Sequence, residues 1–143
     1  MSLSEYLMNN LLLVGVAAAS GMMLLWPLVT RIMHGSQDVG VNEAVLLINQ
    51  KDALVLDVRE PSEYSAGHIP NARNLPAAQL KDRLKELERW KARPVIVNCR
   101  NGQRSGAATA ALRQAGFAEA VRLRDGLTAW EQANLPIQKG ARA

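Results

Sequence analysis

The chain has 143 residues, of which 48% are hydrophobic and 21% are charged, a composition typical of one globular domain with some additional sequence. Cys99 is the single cysteine, which excludes an intrachain disulfide and a cysteine-rich metal site, and the two histidines are far apart, so we expect no metal and no cofactor. The net charge is +4, but no run of Lys or Arg exceeds two residues, which argues against nucleic acid as a partner.

The N-terminal part is strongly apolar. A leader over residues 1–10 contains no Lys or Arg, and the 19 residues from Leu11 to Val29 carry no charge. As a helix this stretch would be roughly 28 Å long, close to the hydrocarbon thickness of a bilayer. The sequence therefore predicts a transmembrane helix over residues 11–30. A cleaved signal peptide and a buried core helix are the alternatives.

The distribution of positive charge predicts the orientation of this helix. All 17 Lys and Arg residues lie at or after Arg31, and positive residues beside a transmembrane helix favour the cytoplasmic side. We therefore expect a single-pass protein of the cytoplasmic (inner) membrane, with its N-terminus outside and its main domain in the cytoplasm. A polar linker over residues 31–40 joins the two parts, and a free thiol suits the reducing cytosol.

Strands and helices alternate along the remaining sequence. The predicted elements, in chain order, are an edge strand in Asp38–Val41, a helix from Asn42 to near Asn49, a strand Leu54–Val58, a loop-rich region Arg59–Pro76 with a short strand Ala72–Leu75, an amphipathic helix Ala77–Trp90, a strand Val95–Asn98, a helix Ser105–Ala115, a strand Ala120–Leu123 and a short helix after Asp125-Gly126. This order predicts an α/β domain with a parallel sheet covered on both faces. The domain is expected over residues 41–137, followed by a tail over 138–143.

Cys99 comes directly after the strand Val95–Asn98, at the sheet edge where α/β folds place their functional sites. A six-residue loop from Cys99 to Arg104 then leads to a helix, and its backbone amides, the helix dipole and two arginines favour a thiolate or another anion. We therefore predict that Cys99 is a nucleophile. The predicted substrate-binding residues are Arg100, Asn101, Gly102, Gln103, Arg104 and Ser105. A buried, inert cysteine is the alternative.

Other polar residues lie in the loop-rich region. His68 could serve as an acid or base, but a structural role in fixing the loop is favoured, because nothing in the sequence directs it towards Cys99. A second cluster contains Asp57, Arg59, Glu60 and Glu63. For this cluster we favour structural ion pairs and hydrogen bonds over substrate binding.

Three separated motifs resemble those of rhodanese domains. Residues 56–76, which begin Leu-Asp-Val-Arg-Glu and include Ala-Gly-His-Ile-Pro, resemble the first rhodanese signature. The loop Cys-Arg-Asn-Gly-Gln-Arg-Ser at 99–105 resembles the active-site loop, and Arg-Asp-Gly-Leu-Thr-Ala-Trp at 124–130 resembles the closing motif. The resemblance covers about residues 38–140. Asn71 and Asp125 depart from it, since glycine is commoner at both positions.

The resemblance implies a three-layer sandwich with a five-stranded parallel sheet, here preceded by one transmembrane helix. It also implies that Cys99 takes a sulfane sulfur from a small anionic donor, such as thiosulfate or a persulfide, and passes it to a thiol or protein acceptor. Phosphatases with this fold have five residues between cysteine and arginine, whereas four separate Cys99 from Arg104, so sulfur transfer is favoured. The alternative is a membrane-tethered interaction or regulatory module that binds a membrane protein.

Overall fold

The computed structural model describes residues 2–34 and 38–140, which form two compact units on either side of residues 35–37. The α-helices are α1 (Leu3–Asn9), α2 (Leu11–His34), α3 (Val41–Lys51), α4 (Pro61–Ala66), α5 (Gln103–Gln114) and α6 (Gly126–Gln132). The strands are β1 (Asp38–Val39), β2 (Leu54–Asp57), β3 (Arg73–Asn74), β4 (Val95–Asn98) and β5 (Ala120–Leu123). Parts of the predicted linker (35–37) and tail (141–143) lie outside the described residues.

The N-terminal unit is helical. Ser2 and Glu5 cap α1 reciprocally through side chain and backbone, so most of the predicted leader is a short helix. The 24 residues of α2 make a helix about 36 Å long. Its segment Leu11–Val29 has a mean hydropathy of 2.0 and is 0% buried, so the described residues give no support to the core-helix alternative. The helix is long and apolar enough to cross a membrane, a criterion that a signal sequence also meets.

The second unit is built on a parallel sheet with the strand order β1-β5-β4-β2-β3. This arrangement confirms the predicted α/β fold with a five-stranded parallel sheet. The central strands β2 and β4 are buried along their whole length, which explains their nearly continuous apolar sequences. Successive side chains of β4 point to opposite faces, so Val97 and Cys99 share one face while Ile96 lies on the other.

Each face of the sheet carries its own apolar cluster. On the face of Cys99, the sheet packs against Ala108 and Leu112 of α5 and against Leu87. On the other face the helices α3, α4 and α6 contribute Ala44, Tyr64 and Trp130 respectively, together with neighbouring apolar residues. The domain is thus the three-layer sandwich that the resemblance implies.

The segment from Ala77 to Trp90 differs from the prediction. It forms two 3₁₀ helices, Ala77–Gln79 and Lys81–Trp90, rather than one amphipathic α-helix, and Arg83 has non-helical angles (φ −115°, ψ 15°). A 3₁₀ helix has three residues per turn, so residues spaced by three face the same side. Leu84, Leu87 and Trp90 have this spacing, and all three pack on the same cluster.

Other boundaries also differ. The helix α5 begins at Gln103 rather than Ser105, because Gly102 in the left-handed region (φ +87°) starts the first turn earlier. The helix α4 lies in the region expected to be loop-rich, where Pro61 and a Glu60–Glu63 capping box support a short helix. At the ends of the domain, β1 pairs with β5, and Gln138 forms a bridge with His68.

Candidate active site

Cys99 lies at the carboxyl end of β4, and its side chain is completely buried. The backbone amide of Gly102 donates a hydrogen bond to the sulfur at 3.0 Å. The thiol donates to the Ser105 hydroxyl oxygen at 3.5 Å, and that hydroxyl donates to the Gly102 carbonyl at 3.1 Å. The loop and the first turn of α5 therefore enclose the sulfur with polar groups.

These contacts change the ionisation of the thiol. Burial alone raises the pKa of Cys99, but the hydrogen bond between the sulfur and the Ser105 hydroxyl, together with the backbone amides of Ser105, Arg104 and Asn101, outweighs it, so the pKa lies below its usual value. Because α5 begins at Gln103, two of these amides belong to the first turn of the helix, where the free N–H groups and the helix dipole favour an anion. The site therefore stabilises the thiolate of Cys99 relative to that of an ordinary cysteine.

The carbonyl groups of the loop face α6. The amide of Leu127 donates to the Cys99 carbonyl at 2.8 Å, and the amide and hydroxyl of Thr128 donate to the Arg100 carbonyl at 3.1 and 2.9 Å. A Cβ atom at Gly126, which has φ +52°, would clash with the Cys99 carbonyl oxygen. Glycine therefore allows α6 to approach closely enough for its first residues to bind the loop carbonyls.

The two arginines of the loop have different surroundings. Arg104 binds both carboxylate oxygens of Glu63 at 3.1 and 3.2 Å. Burial is the largest single effect on the pKa of Glu63 and raises it, but the hydrogen bonds and positive charges, those of Arg104 first, together outweigh burial and lower the pKa. Arg100 is exposed, and no hydrogen bond or ion pair joins its guanidinium to another of the described residues. Asn101 is also exposed, while the side chain of Gln103 lies outside the described part of the structure. Among the side chains that the structure describes in this loop, Arg100 is thus a cation available to an approaching anion.

Asp57 and Arg59 form a buried ion pair at the carboxyl end of β2. The Arg59 guanidinium binds both Asp57 oxygens, with a shortest distance of 2.8 Å, and also donates to the Gly67 carbonyl at 2.7 Å. Asn74 donates to the backbone carbonyls of both residues. These contacts join β2, β3 and the end of α4, and the structural role of Asp57 and Arg59 stays a prediction.

His68 is buried and is held from two sides. Its ring stacks on Tyr64 with 3.7 Å between centroids, and its Nδ1 atom lies 2.7 Å from the Tyr64 carbonyl. Its backbone exchanges hydrogen bonds with Gln138 at 2.9 and 2.8 Å. Within residues 38–140 no hydrogen bond joins His68 to Cys99, so the contacts are those of a residue that fixes the loop.

One charged pair beside the active-site loop was not predicted from the sequence. Arg122 of β5 binds both oxygens of Asp38 of β1, and its remaining nitrogen donates to the Gly102 carbonyl at 3.3 Å. Arg122 projects from the same sheet face as Cys99, close to Gly106 of α5. The alternation of side chains in β5 could have placed Arg122 on this face, but only the strand order brings it beside the loop.

The structure also explains the two departures from the rhodanese motifs. Asn71 and Asp125 both have positive φ angles, +65° and +57°. Glycine adopts this conformation without strain, and Asn and Asp are the residues that replace it most readily. The backbone shape of both motifs is therefore kept, and Asp125 still leads into Gly126 and α6.

Comparison with known proteins agrees with this arrangement. The family model described as "Rhodanese-like domain" matches residues 41–133. The uncharacterized protein YibN of Escherichia coli is 38% identical over 99 residues, which cover 68% of this chain and 69% of that protein. A protein of Allochromatium vinosum named "Sulfurtransferase" is 40% identical over 91 residues, 64% of this chain and 83% of that protein. The crystal structure of a rhodanese-related protein from Thermoplasma volcanium has a TM-score of 0.62 and 35% identity, and covers 71% of this chain and 96% of that one.

Proposed function

Because the chain belongs to the rhodanese-like domain family, we propose that it is a membrane-anchored sulfurtransferase that carries a sulfane sulfur as a persulfide on Cys99. The observation that carries the proposal is the environment of the sulfur: the Gly102 amide at 3.0 Å, the Ser105 hydroxyl at 3.5 Å and a lowered thiol pKa. A loop that stabilises a thiolate also suits the anionic outer sulfur of a persulfide. The relative from Allochromatium vinosum, which is named a sulfurtransferase, supports the same reaction class.

The reaction has two displacement steps. The Cys99 thiolate attacks the sulfane sulfur of thiosulfate, a new S–S bond forms, and the S–S bond of thiosulfate breaks so that sulfite leaves with the electron pair. A thiolate of the acceptor then attacks the outer sulfur of the persulfide. The Cys99 thiolate leaves with the electron pair of that bond, which restores the enzyme.

The residues of the loop have distinct parts in this proposal. Asn101, Gly102, Arg104 and Ser105 stabilise the sulfur anion through their backbone amides or, for Ser105, also through its hydroxyl. Arg100, which is exposed, attracts the anionic donor and the leaving sulfite. Arg104 orients the loop through its ion pair with Glu63.

We further propose that α2 anchors the chain in the cytoplasmic membrane with the rhodanese domain in the cytoplasm. The support is the uncharged segment Leu11–Val29 and the position of every Lys and Arg at or after Arg31. A C-terminal fusion to alkaline phosphatase should be inactive, while a C-terminal fluorescent protein that folds in the cytoplasm should fluoresce. Phosphatase activity without fluorescence would overturn this orientation.

The enzymatic proposal is tested by turnover of thiosulfate. Full-length protein in detergent, supplied with thiosulfate and cyanide as a simple acceptor, should release sulfite and thiocyanate in equal amounts. Cys99→Ala should release neither, because it lacks the sulfur that attacks. If the wild-type protein shows no turnover with thiosulfate or with a thiol persulfide as donor, or if Cys99→Ala is equally active, the proposal is wrong.

A further inference from the structure

Arg122 and Asp38 form a two-point ion pair on neighbouring strands. Nε of Arg122 donates to one oxygen of Asp38 at 2.9 Å and Nη2 donates to the other at 2.6 Å. The two residues are register partners in the parallel pairing of β1 with β5. This two-point contact fixes the plane of the guanidinium, so the direction of Nη1 is fixed as well. Nη1 is the nitrogen that donates to the Gly102 carbonyl at 3.3 Å.

The Gly102 carbonyl accepts two hydrogen bonds, one from Arg122 and one from the Ser105 hydroxyl at 3.1 Å. Ser105 has a single hydroxyl hydrogen, so it cannot donate to this carbonyl and to the sulfur of Cys99 at the same time. With Cys99 as a thiol, the S–H group donates to the Ser105 oxygen and the hydroxyl hydrogen stays on the carbonyl. A thiolate has no hydrogen to donate, and the hydroxyl must turn towards the sulfur to stabilise it.

This turn would leave the carbonyl of the buried Gly102 without a donor if Ser105 were its only partner. An unsatisfied buried carbonyl is costly, so the loss would oppose formation of the thiolate. The bond from Arg122 remains in place during the turn. It keeps the carbonyl satisfied in both ionisation states of Cys99.

We propose that Arg122, oriented by Asp38, is a positioning residue that holds the Gly102 carbonyl and thereby frees the Ser105 hydroxyl to bind the Cys99 thiolate or persulfide. The inference rests on the proposed function, since it concerns the same cysteine. Arg122 does not contact the sulfur in this role. The other charged groups around the loop are Arg100, Arg104 with its partner Glu63, and Asp125 before α6.

The test measures the ionisation of Cys99 and does not depend on sulfur transfer. The rate of alkylation of the full-length protein by iodoacetamide is followed by intact mass as a function of pH. In Arg122→Met we expect the midpoint to rise by about one pH unit, which corresponds to tenfold less thiolate below the midpoint. Arg93→Met is the matched control. Arg93 lies before the amino end of β4 and also pairs with an aspartate, Asp52. The alkylation midpoint of Cys99 should not move in this variant.

A double-mutant comparison separates positioning from simple charge attraction. If Arg122 acts through Ser105, then Arg122→Met should shift the midpoint much less in a Ser105→Ala background than in the wild type. An equal shift in both backgrounds, or full restoration by Arg122→Lys, would mean that only the positive charge matters and would overturn the proposal.

If Arg122→Met does not fold, Asp38→Asn keeps the arginine but loosens its orientation. It should raise the midpoint only when Ser105 is present, and an unchanged midpoint would likewise refute the proposal. A protein that shows these shifts but fails to turn over thiosulfate would refute the proposed function alone.

Discussion

The contact between α6 and the active-site loop depends on Gly126, and Gly126→Ala tests this dependence. The added Cβ would collide with the Cys99 carbonyl oxygen and would also crowd the carbonyl carbon of Arg100 at 3.0 Å. These are backbone atoms, so α6 or the loop has to move. The movement would weaken the hydrogen bonds from Leu127 and Thr128 to the loop carbonyls, at 2.8 and 3.1 Å.

The expected loss of stability has three contributions. A positive φ angle costs a residue with a Cβ about 1–2 kcal/mol. Overpacking a buried site typically costs about 1–3 kcal/mol, and each weakened hydrogen bond about 1 kcal/mol. Since these effects overlap, we expect Gly126→Ala to lower the free energy of unfolding by about 3–5 kcal/mol.

The assay is urea unfolding of the full-length protein in detergent, followed by far-ultraviolet circular dichroism. Gly116→Ala is the matched control, because Gly116 also has a positive φ (+102°), but its added Cβ would meet only the flexible Lys91 side chain at 3.4 Å. The control should lose about 1 kcal/mol. If both variants lose the same amount, or if Gly126→Ala retains the wild-type alkylation profile of Cys99, the role assigned to Gly126 is wrong.

Four further outcomes are expected. Ser105→Ala should raise the pH midpoint of Cys99 alkylation, because it removes a donor to the thiolate, and an unchanged midpoint would contradict this. Because folding lowers the pKa of Cys99, the ionised thiol stabilises the folded state at pH values above the unfolded-state pKa, and this contribution disappears as the pH falls through the folded-state pKa. The difference in free energy of unfolding between wild type and Cys99→Ser should therefore grow as the pH rises through this range. Urea titrations at several pH values measure this difference. Asp57→Asn should cost about 3–5 kcal/mol in urea unfolding, since it leaves the Arg59 charge buried without its partner, and a loss below 1 kcal/mol would refute the buried pair. Arg104→Met should cost at most about 1 kcal/mol of stability, because its ion pair is partly exposed, so a larger loss in the same titration would show that the pair is more than a surface contact.

The sheet could be predicted because burial determines the residues that form its central strands. The apolar stretches of β4 and β5 gave their boundaries, Val95–Asn98 and Ala120–Leu123, as the structure has them. Cys99 could be placed at the carboxyl edge because parallel strands end there. The helices were harder to delimit, since their first turns depend on backbone angles. Gly102 with φ +87° starts α5 two residues earlier than its apolar sequence indicates.

Contacts between distant segments could not be predicted from sequence patterns. The ion pair of Asp38 with Arg122 depends on the pairing of the first strand with the fifth, and the resemblance to known motifs does not contain this pair. The contact of Arg104 with Glu63 depends on how α4 lies against the start of α5. The type of helix formed by Lys81–Trp90 also depends on packing. As a 3₁₀ helix the segment brings Leu84, Leu87 and Trp90 onto one apolar cluster, although its sequence also suits an α-helix.

The central claim is that Cys99 carries a sulfane sulfur, and intact-mass analysis tests it directly. Cys99 is the only cysteine of the chain, so any sulfur adduct can be assigned without further mapping. After incubation with thiosulfate, the full-length protein should gain about 32 Da, and cyanide should remove this mass. Cys99→Ser should gain nothing under the same conditions. A wild-type mass that stays unchanged with thiosulfate and with a thiol persulfide, or an equal gain in Cys99→Ser, would contradict the claim.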